Sequence, residues 1–345
     1  MLNLTSGEAR WNPFAALGIP PESFSDSELD GGTDELGFST LRDAYCRVAL
    51  GATLEELREH GLDVLITNGA KEAFWVISAT LRSRQRGLLL PQVAWPGYGQ
   101  VATGLGLRAV HYDFSRPVSG IARMTCGGPA LLLVNSPHNP SGFELRADDR
   151  AELERAAASG NCELVFDETL RTFGTHAGVE LGLGQKLRGL GGALRIDSVS
   201  KWLGTPGLRV GFVTGARTRL LELAQYRDRV SSGVCSLAQA AVAKVLHHPS
   251  LSATLAVRLR GLRSTAAQLA ALLRAARCEL AGDFPLYTWA RPEDPRALSK
   301  GVLTLPGCQV EVADGARFGA PGWFRSCPHG SSSIIASLQQ EMRTQ

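Results

Sequence analysis

Through much of its length the chain alternates short apolar runs with amphipathic stretches. "LDVLIT" (62–67) precedes "NGAKEAFWVISATL", "GLLL" (87–90) precedes "WPGYGQVATGL", and "ALLLVN" (130–135) precedes a loop and "RADDRAELERAAAS". "CELVF" (162–166) and "ALRID" (193–197) add two more runs. Each is a predominantly apolar run rather than a strict alternation, as in a strand covered by helices on both faces. Such β-loop-α repetition predicts a three-layer α/β/α domain around a mostly parallel sheet. From about Arg217 the period changes. "RTRLLELAQYRDRV" and "LSATLAVRLRGLRSTAAQLAALLRAARCEL" repeat leucine and alanine at three- and four-residue spacing, which predicts long helices, and a smaller α+β segment follows. The 345 residues exceed the roughly 250 to 300 at which single cores divide. The predicted organisation is an N-terminal arm over 1–44, a large domain over 45–245 and a small domain over 246–345, with a long helix leading from one domain to the other.

Composition narrows the classes of function. A 44% hydrophobic, 20% charged chain is ordinary for a soluble globular protein, and 36 basic against 33 acidic residues leave only +3. The basic residues are dispersed, with no finger spacing, basic arm or aromatic RNA-binding signature, so no nucleic-acid partner is expected. Seven cysteines without a C-x-x-C pair favour neither a disulfide framework nor a zinc site, and the seven histidines include no H-x-x-x-H pair. No metal is expected. The N-terminal sequence has no leader pattern and no segment approaches the roughly 20 apolar residues of a membrane span, so a soluble, cytoplasmic protein is expected.

In an open parallel sheet, ligands bind beyond the carboxyl ends of the strands. Five such places carry chemistry. After 62–67, Asn68-Gly69-Ala70-Lys71 opens a helix whose free N–H groups suit a phosphate, although an ordinary Asn-Gly cap explains the same residues. After 87–90, Trp95-Pro96-Gly97-Tyr98 holds an aromatic in a turn, either for a planar ligand or for packing. After 130–135, "SPHNPSG" brackets Asn139 with two prolines that restrict its backbone, in a loop or around an amide aimed at a ligand. After 162–166, Asp167-Glu168 puts a carboxylate at a buried strand end, where an ion needs a partner: a salt bridge, a cap or a protonated ring nitrogen. After 193–197, Lys201 follows Ser198 and Ser200, with Arg209 eight residues on. A desolvated amine there is a carbonyl nucleophile, and the hydroxyls and guanidinium suit a phosphate.

Together these five places resemble the fold-type I pyridoxal-phosphate enzymes, specifically the class I/II aminotransferases. "SVSKWLGTPGLRVG" resembles that family's S-x-S-K-x-x-G-x-x-G-x-R-x-G, "NSPHNPSG" its N-P-x-N-P-[ST]-G, and Asp167-Glu168 its strand-end D-E, in family order. The similarity runs from about residue 37 to 345, and the compact length is nearest the histidinol-phosphate branch. The resemblance implies pyridoxal 5'-phosphate as cofactor and a homodimer. It implies that Lys201 forms a Schiff base with the cofactor and then moves the substrate's α-proton, while Asp167 keeps the pyridine nitrogen protonated. Asn139 would donate to the phenolic oxygen, Trp95 would stack on the ring, and Gly69, Ala70, Ser198 and Arg209 would hold the phosphate, with Lys71 and Ser200 also among the cofactor-binding residues. Near the C-terminus, "PGWFRSCPHGSSSIIASLQQEM" resembles the segment that carries the arginine for the substrate carboxylate, which places Arg325 in that role beside Asn139.

Two positions depart from the pattern. Leu170 stands where the family usually has a tyrosine that donates to the phenolic oxygen, three residues after the aspartate. Gly32 stands five residues before Gly37, where the family often has a tyrosine that reaches the neighbouring subunit's phosphate. The leading reading is transamination of an amino acid. Decarboxylation, β- or γ-elimination and cyclisation share the same α-carbanion and are the alternative, which the loss of tyrosine at Leu170 favours. A non-catalytic sensor ranks last because the lysine is intact and no helix-turn-helix segment precedes residue 30.

Overall fold

The computed structural model describes residues 2–5, 11–20, 34–81, 87–113, 118–124, 131–159, 162–173, 192–328 and 332–343. Fifteen strands are found among them. β1 (Leu2–Asn3) lies at the N-terminus, and a seven-stranded sheet follows from β2 (Leu62–Thr67), β3 (Leu88–Pro91), β4 (Ala109–Tyr112), β5 (Leu131–Asn135), β6 (Glu163–Asp167), β7 (Ala193–Ser198) and β8 (Gly211–Ala216). Their spatial order is β2-β8-β7-β6-β5-β3-β4. All neighbours are parallel except β8, which runs against both β2 and β7. Six strands therefore point one way, and their carboxyl ends, Thr67, Pro91, Tyr112, Asn135, Asp167 and Ser198, share one edge of the sheet.

The continuous apolar runs are explained by the layers. Leu131 and Leu133 of β5 pack with helices Ala70–Ala79, Gly97–Gly104 and Arg217–Asp228 on one face. Leu132 and Val134, which point to the opposite face, meet helix Ala147–Ser159 through Leu153 and Ala157. At the other end of the sheet, Val64, Ile66 and Phe212 bury against Leu41, Tyr45 and Val242 of helices Ser39–Tyr45 and Ser236–His247. Strands with neither face in water have no polar alternation to show.

Helix Leu251–Ala275 then runs for 25 residues, about 37 Å at the helical rise. It leads into β9 (Cys278–Asp283), β10 (Thr288–Pro292), β11 (Leu298–Ser299), β12 (Val302–Leu305), β13 (Cys308–Glu311), β14 (Ala313–Asp314) and β15 (Phe324–Ser326). These form two four-stranded sheets, β1-β13-β12-β11 and β14-β15-β10-β9. Leu269 and Leu273 of the long helix close their core with Leu303, Val310, Phe324, Ile335 and Leu338. The chain's first residues belong to this region. β1 pairs in parallel with β13, Leu4 is buried in the same core, and the Cys327 N–H donates to the Leu4 carbonyl. Residues 2–5 therefore end beside β15, which carries Arg325.

Candidate active site

Ser198 ends β7 in extended conformation and starts the short helix Val199–Trp202, where its Oγ accepts from the Ser200 N–H at 3.2 Å. The same Oγ lies 3.0 Å from the Val210 carbonyl, so the segment returning toward β8 is tied to the strand end. This cap sets Lys201 on the first turn after the strand, half-buried. Gly211 opens β8, and a Cβ there would stand 2.6 Å from the carbonyl carbon of Gly69. No side chain fits, and the loop after β2 therefore lies directly against β8.

Gly69 itself has φ +87° and caps helix Ala70–Ala79, whose first N–H groups have no partner within the helix. A Cβ on Gly69 would meet Arg209 Nη2 at 2.5 Å. Arg209, in left-handed conformation (φ 53°), donates to the carbonyls of Asn68 (3.0 Å) and Pro206 (2.9 Å), which lays its guanidinium across the helix start. Helix dipole, exposed N–H groups and guanidinium converge there, the composition of a phosphate cradle. Lys71, in the first turn, is exposed; its Nζ is 3.1 Å from Gln100 Oε1 and 5.8 Å from the centre of the Trp95 ring.

Trp95 is half-buried and folds over Gly97, where a Cβ would collide with the indole. It meets Tyr98 edge to face, with ring centres 5.3 Å apart. Tyr98 carries no site role in the sequence reading. Its hydroxyl donates to Asp167 Oδ2 at 2.5 Å, while the N–H and Oγ1 of Thr169 donate to Oδ1 at 3.0 and 2.7 Å. Asp167 is nonetheless held above the usual carboxylate range. Burial is the largest cause, Glu168 adds to it, and together they outweigh the three donors. Among the described residues Asp167 has no cationic partner. Its neighbour Glu168 differs: burial pushes it up, but Arg195, Arg150 and Arg171 outweigh this and hold it at about 2. One carboxylate of the D-E pair is thus matched by the protein and the other is not.

Asn139 is oriented from two sides. Asn135, at the end of β5, donates to the carbonyls of Pro137 and Asp167 and accepts from the Asn139 N–H at 2.7 Å. His138 is buried and pushed down to about 4, so its neutral ring donates through Nε2 to the Val93 carbonyl (2.8 Å) and accepts at Nδ1 from Ser141 Oγ (2.7 Å). The Asn139 Oδ1 accepts from Arg325 Nη1 at 3.0 Å. Its Nδ2 is thereby left as the donor for a ligand. Arg325 Nη2 donates to the Thr5 carbonyl at 3.3 Å, and Nε is buried without a partner. Among the described residues no carboxylate pairs with Arg325, and burial lowers its pKa. A buried guanidinium left without a carboxylate among the described residues carries an uncompensated desolvation cost that an anion would relieve.

The sequence-predicted residues therefore gather at the carboxyl edge of the large sheet and at β15 opposite it. Tyr98 and Asn135, which hold Asp167 and the Asn139 backbone, stand outside the sequence-predicted set. Residues 26–338 match the sequence model of the aminotransferase class I and II family. The chain belongs to this family. Histidinol-phosphate aminotransferase 1 of Ralstonia nicotianae is 29% identical over 211 residues, 59% of this chain and 54% of that protein. A second histidinol-phosphate aminotransferase, from Cupriavidus pinatubonensis, matches over 60% of its length, so these alignments span little more than half of the relatives. Capreomycidine synthase of Streptomyces vinaceus is 26% identical over 364 residues, covering 99% of this chain and 88% of that one. Among solved structures, aspartate aminotransferase from Thermus thermophilus with maleate superposes with TM-score 0.80 over 100% of this chain and 92% of its own, at 18% identity, a likeness of fold. The family is pyridoxal-phosphate-dependent. Leu170 is buried in an apolar cluster with Phe173, Phe284, Tyr287 and Cys327. Gly32 lies outside the described residues. Among the described residues no helix is long and apolar enough to cross a membrane, and no group of three or more metal-binding side chains is assembled.

Proposed function

We propose that the chain is a pyridoxal-phosphate-dependent aminotransferase acting at the α-carbon of an amino acid. The observation that carries this reading is a pair of buried ionisable groups unmatched among the described residues, Asp167 without a cation and Arg325 without an anion, linked through the Asn135–Asn139 network. A pyridinium nitrogen and a substrate carboxylate would complete them. The first N–H groups of helix Ala70–Ala79, the Ser200 hydroxyl and the cations Lys71 and Arg209 suit a phosphate at the cofactor's other end, whereas the Gly69 N–H and the Ser198 hydroxyl already donate to the Thr67 and Val210 carbonyls. When bound, pyridoxal phosphate supplies an electron-withdrawing ring that accepts the electron pair left on the α-carbon. Lys201 would hold the group through its amine and would serve as the base that moves the proton at Cα. Asp167 would keep the ring nitrogen protonated by its charge, Trp95 would lie against the ring, Asn139 Nδ2 would donate to the phenolic oxygen, and Arg325 would fix the substrate carboxylate by its planar fork.

The reading carries with it a homodimer and a cytoplasmic enzyme. A second reading, non-transaminating chemistry on the same scaffold, is favoured by Leu170 and by the full-length similarity to a capreomycidine synthase. The 3-methylarginine biosynthesis aminotransferase ArgM of Streptomyces arginensis, 34% identical over 169 residues, makes arginine and its derivatives the first substrates to try. Purified protein loaded with pyridoxal phosphate is mixed with single amino acids while the cofactor spectrum and product masses are followed. Conversion to the pyridoxamine form with release of a keto acid supports transamination. Release of ammonia or carbon dioxide, or an intramolecular product of altered mass, supports the second reading.

A further inference from the structure

We infer that Tyr287 is a positioning residue for the substrate carboxylate, holding Arg325 with its ring and the Asn139 loop with its hydroxyl. The inference rests on the assignment of Arg325 as the carboxylate-binding group and extends it to a residue that no motif contains. Tyr287 lies between β9 and β10 and is 1% exposed. Its ring centre is 5.3 Å from Arg325 Cζ, and the ring of Phe318 is 5.0 Å from the same atom, so two aromatic rings flank the guanidinium. A cation beside such faces is attracted by their quadrupoles and loses freedom to turn. The Tyr287 hydroxyl donates to the His138 carbonyl at 3.1 Å, immediately before Asn139.

These contacts close a circuit. Arg325 Nη1 donates to Asn139 Oδ1, Asn139 follows the carbonyl that Tyr287 holds, and the Tyr287 ring returns to Arg325. The small-region arginine and the large-sheet loop are thus set by one side chain. Phenylalanine would fill the same apolar cluster without a buried hydroxyl to satisfy, so the hydroxyl serves the tie rather than the packing. Burial raises the phenol well above its ordinary pKa, which keeps it a donor at any working pH. Because its one proton is given to His138, Tyr287 does not replace the phenol absent at Leu170, although both lie in the same cluster.

The test is a double-mutant cycle on the loaded enzyme. KM and kcat are measured with the amino acid turned over fastest in the single-substrate screen, and propionate serves as a non-reacting carboxylate inhibitor. Tyr287→Leu should raise KM and the propionate inhibition constant roughly 3- to 30-fold, the range of a lost desolvated cation–π contact. Tyr287→Phe, which keeps the ring and the packing, should raise both by about 2- to 10-fold, the range of one lost hydrogen bond. In both variants kcat should change less than KM. Repeated in an Arg325→Ala background, either substitution should have little further effect on these constants, because it acts through Arg325. Fully additive effects, or a fall in kcat with both constants intact, would overturn the inference. If Tyr287→Leu fails to fold, the phenylalanine cycle decides alone. Arg325→Ala leaving KM and propionate inhibition unchanged would instead remove the carboxylate assignment, and this inference with it.

Discussion

Replacing Asp167 by asparagine should weaken cofactor binding while leaving the cofactor-free protein as stable as before, or more so. Asp167 accepts from Tyr98 at 2.5 Å and twice from Thr169, yet burial still keeps its carboxyl above the ordinary 3.8. Its ionised form is therefore disfavoured in the folded chain until a cation arrives. A folded-state pKa above the unfolded one contributes stability at low pH that is lost as pH rises through the folded value, so the cofactor-free wild type loses this contribution above pH 3.8. The Asp167→Asn variant carries no such pH dependence, because an amide does not titrate. Its oxygen still accepts from Thr169 and its NH2 can donate to the Tyr98 oxygen. What the substitution removes is a charge-assisted hydrogen bond to the ring nitrogen, worth about 1.5 to 3 kcal/mol, or roughly 10- to 150-fold in affinity. The covalent bond to Lys201 would mask this, so the comparison is made in a Lys201→Ala background by equilibrium dialysis with pyridoxal phosphate. Thermal unfolding of the cofactor-free proteins from pH 4 to 8 accompanies it. Unchanged cofactor affinity together with a lower unfolding temperature at pH 7 would refute the argument and make Asp167 a structural residue.

Arg325→Lys should recover only part of the substrate affinity lost in Arg325→Ala, because an ammonium lacks the planar fork; equal KM for the lysine variant and wild type would count against bidentate binding. Glu168→Gln should destabilise the protein at pH 7 by on the order of 3 kcal/mol, leaving the guanidinium groups of Arg150 and Arg195 without their carboxylate. Glu168 is depressed from 4.5 to about 2, so its contribution is present above pH 4.5 and fades as pH falls toward 2; the gap in chemical-denaturation midpoints should narrow over that interval. Leu170→Tyr should lower the pH at which the bound cofactor's absorbance titrates, provided the ring turns toward the site rather than into the cluster around Phe284. An equal or higher midpoint in a folded variant would show that no donor was missing.

The fold was legible wherever a strand's surroundings were uniform. The run 62–67 coincides with β2, and 193–197 falls one residue short of β7, because burial on both faces leaves no ambiguity in an apolar segment. β8 is not legible in the sequence, because it opens on Gly211 and its apolar part is only Phe212-Val213 before Thr214 and Gly215. These glycines serve close approach, to Gly69 in one case and to Leu194 in the other, a requirement visible only in three dimensions. β4 is half-exposed at the sheet edge and its four residues carry no clear pattern. In the site, most residues read from sequence sit in motifs at or just beyond strand ends, Arg325 inside β15 being the exception. Tyr98 reaches Asp167 from 69 positions away and Tyr287 reaches His138 from 149, so their partners follow from packing rather than spacing. Asn135 was within reach of the argument, lying directly at a strand end beside "SPHNPSG", but its task of orienting Asn139 depends on the turn of that loop.

The claim on which all of this depends is that Lys201 carries the cofactor. Borohydride reduction of the protein loaded with pyridoxal phosphate, followed by proteolysis and peptide mass mapping, tests it most directly. The pyridoxyl adduct should be found on Lys201 and be lost, with turnover, in Lys201→Ala. A stoichiometric adduct found reproducibly on another lysine, with Lys201 unmodified, would contradict it.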